Sequence, residues 1–599
     1  MLTFIGRGHK GDDSRDEIAL VEIHSEQASA KDQEVVSEPV SVSPRSRAWA
    51  TAVDMGGPGR VSVSSNDIPD HVRRTLQRER QVTFWGCCRQ YPKAVAWSLM
   101  LFCTIIMEAF DKSLIQGFIA FPPFRRRYGT PITNIDDPTV TQDYEISPTW
   151  QMGLQNAAIA CEIVGLLAHG YITYLIGYRK MLVLCMIWLM IAIFASFFAN
   201  SIAMLAVGQA LCGFPWGVIQ TLAATYAAEV VPSTLRAILL SNVNMCWLIG
   251  QFAAMGVLRI FVDDETEWSY RLPFAIQWAI AVPLIIGVCF CPNSPWWLIR
   301  HERPDEARKA LKRLTNGHNL NIEDTIVVME HTNQLENKYN YGGASYRDCF
   351  KGANRRRTEI ACAVWACQAL CGSTLTSYGA YFLTQAGFNA AHSFTLSTGM
   401  YGMGILGGMI SWIFLSFVGR RKLYLTGLSC ALGFLTVGGI SSVALASTGV
   451  TNWILGGIII AMTFTYNITI GPVCYVLVAE IPSTRLRVKT VALARVTYNI
   501  FMMLNNVVVP QMLSPTAWNL KGKVCFVYIG TTILCLIWAY LRLPECKSLS
   551  YLELDILFEK RAPTKKFKEF QDRLQGTAYM SASRIERSKN PWHGWMAYS

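Results

Sequence analysis

Apolar residues in this chain gather into runs of about twenty, the length at which an α-helix crosses a bilayer, and short polar stretches separate them. The runs fall at 94–121, 150–171, 181–199, 202–228, 237–261 and 272–291, then at 358–385, 394–418, 423–446, 452–479, 488–512 and 524–543. Twelve runs in two sets of six predict an all-α membrane protein with twelve transmembrane helices. An N-terminal half occupies 94–291 and a C-terminal half 358–543. Between them the charged interval 292–357 contains Asp305-Glu306-Ala307-Arg308-Lys309-Ala310-Leu311, which suits short amphipathic helices. Residues 1–93 form a polar tail whose composition predicts disorder, and 544–599 form a second, basic tail in which Lys565, Lys566 and Lys568 are expected to be solvated. The first tail has no apolar signal-peptide core, so the first span is expected to direct insertion.

The two sets repeat each other. Gly177-Tyr178-Arg179-Lys180 after the second span recurs as Gly419-Arg420-Arg421-Lys422 after the eighth. Ala228-Glu229-Val230-Val231-Pro232-Ser233-Thr234-Leu235-Arg236 after the fourth recurs after the tenth as Ala479-Glu480-Ile481-Pro482-Ser483-Thr484-Arg485-Leu486-Arg487, with seven positions from Glu to Arg in both. Such repeats belong to transporters in which one half rocks against the other around a central site. The basic loops (Gly177, Arg179, Lys180, Arg236, Gly419, Arg420, Arg421, Arg487) and the acids Glu229 and Glu480 are therefore candidate gating residues, forming ion pairs in one conformation that break in the other.

Composition and charge narrow the reading. Hydrophobic residues make up 51% of the 599 and charged residues 16%, against about 25% charge in soluble domains. The net charge of +12 is dispersed in short clusters between the runs, a topology signal rather than a nucleic-acid surface. Basic loops fall on one side and acidic ones such as Asp136-Asp137 and Asp263-Asp264-Glu265 on the other, which predicts that the linker and both termini are cytoplasmic. Arg125-Arg126-Arg127, in the first external loop, runs against this pattern. The 18 cysteines lie mostly within apolar runs without metal-ligand spacing. No nucleophile elbow or phosphate loop occurs, so neither an enzyme nor a metal or other cofactor is expected.

The chemistry is concentrated in the first span, where Met107-Glu108-Ala109-Phe110-Asp111 sets two carboxylates three residues apart on one helical face. An acid at mid-membrane costs about 2.5 to 3.5 kcal/mol on the insertion scale, so such residues face a protein interior or a water path. They mark a proton or substrate site. Lys112 follows, about 100° further round the helix, beside Asp111 and able to bias that acid toward its ionised form. The sequon Asn467-Ile468-Thr469 falls inside a span and is expected to be unused.

At these residues the chain resembles the sugar porters of the major facilitator superfamily, over about 94–560. Pro292-Asn293-Ser294-Pro295-Trp296-Trp297-Leu298 is similar to the family's PESPRWL, and Pro544-Glu545-Cys546-Lys547 to its PETKG. The first-span string, Gly208-Gln209-Ala210-Leu211-Cys212-Gly213-Phe214-Pro215-Trp216-Gly217 and the run from Arg485 to Arg495 look most like the fungal maltose and α-glucoside permeases. The resemblance implies a monomeric plasma-membrane carrier that imports an α-glucoside disaccharide with protons, its coupling charges on Glu108, Asp111, Glu162 and Arg495. It also implies a sugar site at Gln368 and Tyr475, with Asn244, Tyr378 and Thr374 at family binding positions. Departures are present: Ala369 replaces a family Gln, Thr374 an Asn, Tyr174 and Ser416 the loop-motif Asp, and Gln209 an Arg, this last change being shared by the subgroup. Alternative readings are a non-transporting sugar sensor on the same fold and a proton-driven exporter of a metabolite.

Overall fold

Among the described residues, twelve helices are long and apolar enough to cross a membrane, and each overlaps the run that predicts it. In chain order, spans 1 to 6 are Pro92–Phe118, Pro148–Ile176, Tyr178–Phe197, Ile202–Val230, Ser241–Phe261 and Trp268–Phe290. Spans 7 to 12 are Gly352–Ser377, Ala390–Leu415, Arg420–Ala444, Asn452–Glu480, Lys489–Leu513 and Lys521–Arg542. The structure, a computed structural model, describes residues 89–133, 141–231, 233–315, 322–339, 345–385, 387–444, 450–483 and 486–547, with isolated positions from 554 to 569. The rest of both tails, Asp136, Asp137, Lys565, Lys566 and Lys568 lie outside the described residues.

Local chemistry sets several helix ends. Pro92 and Pro148 occupy first-turn positions of spans 1 and 2, where a missing N–H costs nothing. Ser201 caps span 4 by accepting from the Met204 N–H at 3.2 Å. Spans 2 and 3 meet at Gly177, whose φ of +90° lies in the region that favours glycine.

Spans 7 and 10 are interrupted. Span 7 widens into a π turn at Ala369–Ser373, with Gly372 at φ +87°, and the Ser373 hydroxyl donates to the Gln368 carbonyl across it. Span 10 breaks at Thr469 (φ −116°, ψ −85°) and resumes over Ile470–Glu480 with Pro472 in its first turn. Such irregular backbone is tolerated at membrane depth only within protein or along a cavity.

Apolar lipid gives helices no hydrophobic reason to associate, so small residues at contacts carry much of the packing. A side chain at Gly213 or Gly217 of span 4 would overlap the Ala158 or Glu162 carbonyl of span 2, and one at Gly165 would overlap the Phe214 carbonyl. Gly250 lies equally close to the Ile106 carbonyl of span 1. Spans 1, 2, 4 and 5 are thereby held backbone to backbone around the acids of the first two.

In the linker, helix Pro304–Leu314 buries Ala307, Ala310, Leu311 and Leu314, the face its pattern predicts. Arg308 joins it to Glu323 of helix Ile322–Tyr339 at 2.6 Å. At the opposite end the first loop contains a short helix, Pro122–Tyr128, and a hairpin pairing Thr130–Thr133 with Thr141–Glu145. Two of the three arginines that run against the charge pattern find acidic partners here. Arg125 is buried against Glu145 at 2.6 Å, and Arg126 meets Glu265 of the acidic loop at 2.9 Å.

Candidate transport site

A cavity of about 100 Å³ lies between the halves. Span 5 contributes Asn244, Trp247, Leu248 and Gln251, spaced to share one helical face. Trp365 and Gln368 come from span 7 just before its π turn, and Ser373, Thr376 and Ser377 from the turn and beyond. Tyr466, Asn467 and Tyr475 flank the break in span 10, while Arg495 and Tyr498 come from span 11.

The lining suits a polyhydroxylated ligand: amides and hydroxyls bind hydroxyl groups, and aromatic faces accept the C–H side of a ring. The indole N–H groups of Trp247 and Trp365 are buried with no hydrogen-bond partner among the described residues. Small-molecule pockets begin at about 300 Å³, so this cavity is smaller than an ordinary small-molecule site.

Against the cavity lies an ion cluster. Lys112 Nζ donates to Glu108 Oε1 at 2.7 Å and to Glu162 Oε2 at 2.8 Å. Arg495 Nη2 stands 3.8 Å from the other Glu162 oxygen. The Lys112 ammonium also lies 5.2 Å from the ring of Trp247, and the Arg495 guanidinium lies over Trp365 and Tyr498 at 4.9 and 4.7 Å. Trp247 and Arg495 thus belong to the cavity and the cluster at once.

The structure brings Glu108, Glu162 and Arg495 together and sets Asp111 apart. The Asp111 oxygens accept from Trp216 Nε1 at 3.3 Å and Gln277 Nε2 at 2.8 Å, in spans 4 and 6. Lys112 pairs with Glu108, one turn before it, and Glu162 rather than with its sequence neighbour Asp111. Gln368, Tyr475 and Asn244 line the cavity. Tyr378 and Thr374 do not: the Tyr378 hydroxyl donates to Asn506 at 3.3 Å, and Thr374 folds back onto the Ala369 carbonyl at 3.2 Å. Both follow the π turn and lie off the cavity lining that includes Gln368.

Trp247, Gln251, Trp365 and Tyr498 were not anticipated. Their signal is spacing: each stands three or four residues from an expected or neighbouring lining position on its helix. Asn467, in the sequon, accepts from Asn244 at 3.2 Å and is buried at the cavity.

The gating candidates divide unequally. In the C-terminal half Arg420 meets Glu480 at 3.2 Å, and Glu545 accepts from the backbone N–H groups of Arg420 and Arg421 at 2.8 and 3.2 Å. A side chain at Gly419 would overlap that carboxylate. In the N-terminal half Glu229 is held instead by Arg300 at 3.0 Å and Ser294 at 2.5 Å. Arg179 and Lys180 are exposed and form no ion pair among the described residues. The residue after Gly177 is Tyr178 where the other copy has Arg420, so the guanidinium comes from beyond span 6. Arg236 lies early in helix Ser233–Phe261, and Arg487 opens the helix of span 11.

Polar bonds cross between the halves elsewhere. Asn156 of span 2 donates to the Met503 carbonyl of span 11 at 3.2 Å and accepts from Asn506 at 3.3 Å. Arg259 of span 5 donates to Thr395 of span 8 at 2.9 Å.

Two six-span repeats enclosing a polar cavity beside buried, paired charges define a membrane transporter of polar small molecules. The chain belongs to the Sugar (and other) transporter family, whose model matches residues 97–558. It is 38% identical over 515 residues to Alpha-glucosides permease MPH3 of Saccharomyces cerevisiae, covering 84% of this chain and 83% of the relative. It is similarly 38% identical to Maltose permease MAL31 of the same yeast, over 86% of this chain and 84% of that protein. Among solved structures it is similar to the major facilitator superfamily proton:xylose symporter XylE bound to 6-bromo-6-deoxy-D-glucose. That likeness has a TM-score of 0.62 at 18% identity, over 78% of this chain and 99% of the other. The chain is a multi-pass membrane protein with the major facilitator fold.

Proposed function

We propose that this protein is a plasma-membrane carrier, working as a monomer with both termini cytoplasmic, that imports an α-glucoside disaccharide with protons by alternating access. The substrate class is taken from the permeases it is similar to. The observation that carries the reading is the shared wall between cavity and cluster: Arg495 lines the cavity and faces Glu162, and Trp247 lines it and faces Lys112. Sugar in the cavity would bear on both, so ligand occupancy and the charge state of the cluster are energetically linked. Glu108, Asp111, Glu162 and Arg495 are the coupling residues in this reading, and Gln368, Tyr475 and Asn244 contact the sugar. Thr374 holds the π turn through the Ala369 carbonyl, and Tyr378 ties its segment to span 11 through Asn506.

The test is uptake of labelled maltose by cells that lack their own permeases, with the pH of a weakly buffered medium followed at the same time. Uptake accompanied by alkalinisation is the expected result. Signalling to maltose without uptake would instead make the protein a sensor.

A further inference from the structure

Lys112 has no role in the coupling scheme drawn from the sequence, yet it sits at the centre of the ion cluster. One ammonium is shared between Glu108 and Glu162 at 2.7 and 2.8 Å, and Arg495 faces the remaining Glu162 oxygen. Two acids and two cations balance with no proton bound. Protonating either acid would leave two cations to one carboxylate inside the bundle, where an uncompensated charge is strongly unfavourable.

Asp111 is in a different situation. Trp216 and Gln277 donate to its two oxygens, and neither carries a charge. Gln209 and Cys212 of span 4 are its other polar neighbours, while Lys112, next in sequence, is turned to the glutamates. Asp111 is therefore a buried carboxyl that gains or loses a proton without an ion pair being broken.

We propose that Lys112 is a resident counter-cation standing permanently in the place of a transported proton, so that Glu108 and Glu162 stay ionised and the exchangeable proton is confined to Asp111. This rests on the proton-coupled reading above and narrows it to a single carboxyl. Uptake forms an O–H bond at one Asp111 oxygen on the outward side of the cycle, and release breaks it on the inward side. Lys112 is a positioning residue in this scheme: it acts through the two glutamates.

The test measures labelled maltose uptake and maltose-induced alkalinisation together, on the full chain, at matched surface expression. Asp111→Asn alone is expected to lose the alkalinisation while maltose still equilibrates. Adding Lys112→Met to Asp111→Asn is expected to restore it, because a glutamate deprived of its cation takes up a proton; Lys112→Arg in the same background is expected not to. Lys112→Met alone should raise the ratio of protons to maltose above the native value, because a glutamate deprived of its cation takes up a proton in addition to the one on Asp111, a readout that does not need the double variants to fold. Alkalinisation that survives Asp111→Asn with Lys112 in place overturns the proposal, as does an unchanged proton-to-maltose ratio in Lys112→Met or the absence of alkalinisation from a Lys112→Met/Asp111→Asn chain that still equilibrates maltose. A native chain that takes up no maltose fails the transport reading itself, which is a separate result.

Discussion

The Tyr381 hydroxyl, in helix Gly379–Gln385 beyond span 7, donates to Glu145 Oε1 at 2.5 Å, while the other Glu145 oxygen holds Arg125 at 2.6 Å. Gln151 of span 2 reaches the same Tyr381 oxygen at 3.5 Å. An ion pair buried in the first loop of the N-terminal half is thus completed by a side chain from the C-terminal half. The contact lies at the end of the bundle opposite Glu229 and Glu480, where it ties the two halves to each other. Arg125 is kept in a loop where the charge pattern disfavours it because Glu145 pairs with it, and Tyr381 in turn holds that carboxylate.

Tyr381→Phe removes that link and leaves the ion pair in place. A hydrogen bond to a charged group contributes about 1.5 to 3 kcal/mol, so the state open on the hairpin side should gain roughly tenfold or more in population. A cysteine introduced at Ser373, on the cavity wall, reports it. Modification by a membrane-impermeant thiol reagent added outside should be about tenfold faster in the Tyr381→Phe chain, and an unchanged rate would show that this bond does not hold the closed state.

Gln368→Ala and Gln251→Ala each remove an amide from the cavity wall. One hydrogen bond is worth about 1 kcal/mol net, so each should raise the half-saturation concentration for maltose roughly fivefold. Tyr378→Phe should leave it unchanged, since that hydroxyl is engaged with Asn506 away from the cavity. Competition of unlabelled maltose against a labelled tracer distinguishes the residues. A Tyr378→Phe effect as large as that of Gln368→Ala would mean the wall rearranges on binding.

What was legible in the sequence followed from one-dimensional constraints. A span must be about twenty apolar residues long, so twelve helices emerged near their observed limits, and an acid in such a run must find a partner, so Glu108 and Asp111 stood out, while Glu162 came from the family resemblance. The identity of the partner was not legible. Glu108 and Asp111 share a face by spacing, but Glu108 pairs within its own helix with Lys112, which reaches on to Glu162 of span 2, while Asp111 meets spans 4 and 6. The expectation at Tyr378 and Thr374 came from the family resemblance, and both lie beyond a π turn, where no fixed helical period relates them to Gln368. Arg125 had no account because Glu145 joins it only through a hairpin between two spans.

Gly217→Val tests the packing beneath the cluster. The new side chain would meet the Glu162 carbonyl, and backbone cannot yield as a flexible side chain does, so spans 2 and 4 must separate. Overpacking of this kind costs about 1 to 3 kcal/mol. The purified variant should melt at a lower temperature and lose sugar-linked proton uptake. Gly256→Ala is the control: nothing lies within 4 Å of its added carbon, and exchange of a helical glycine for alanine should be neutral or slightly stabilising. Equal melting of both variants would remove the close contact from the account.

The unequal gating pairs give the last prediction. A charge controls a gate only if its partner is present in one state and absent in the other. Glu480 has Arg420, Glu229 has Arg300, and Arg179, though basic and in the repeated motif, is exposed without an ion pair among the described residues. Arg420→Ala also frees the Glu480 carboxylate, which is only about a fifth exposed at 22%, so desolvation adds to the lost attraction and the effect should exceed that of a fully solvated pair, which is worth at most about 1 kcal/mol. Arg300→Ala should act in the same direction on Glu229, which keeps its Ser294 hydrogen bond, and therefore less strongly. Maximal maltose uptake at equal surface expression should then fall most in Arg420→Ala, less in Arg300→Ala and not at all in Arg179→Ala. If Arg179→Ala were as impaired as Arg420→Ala, Arg179 would have to pair with Glu229 in the opposite conformation, and the two halves would be equivalent gates after all.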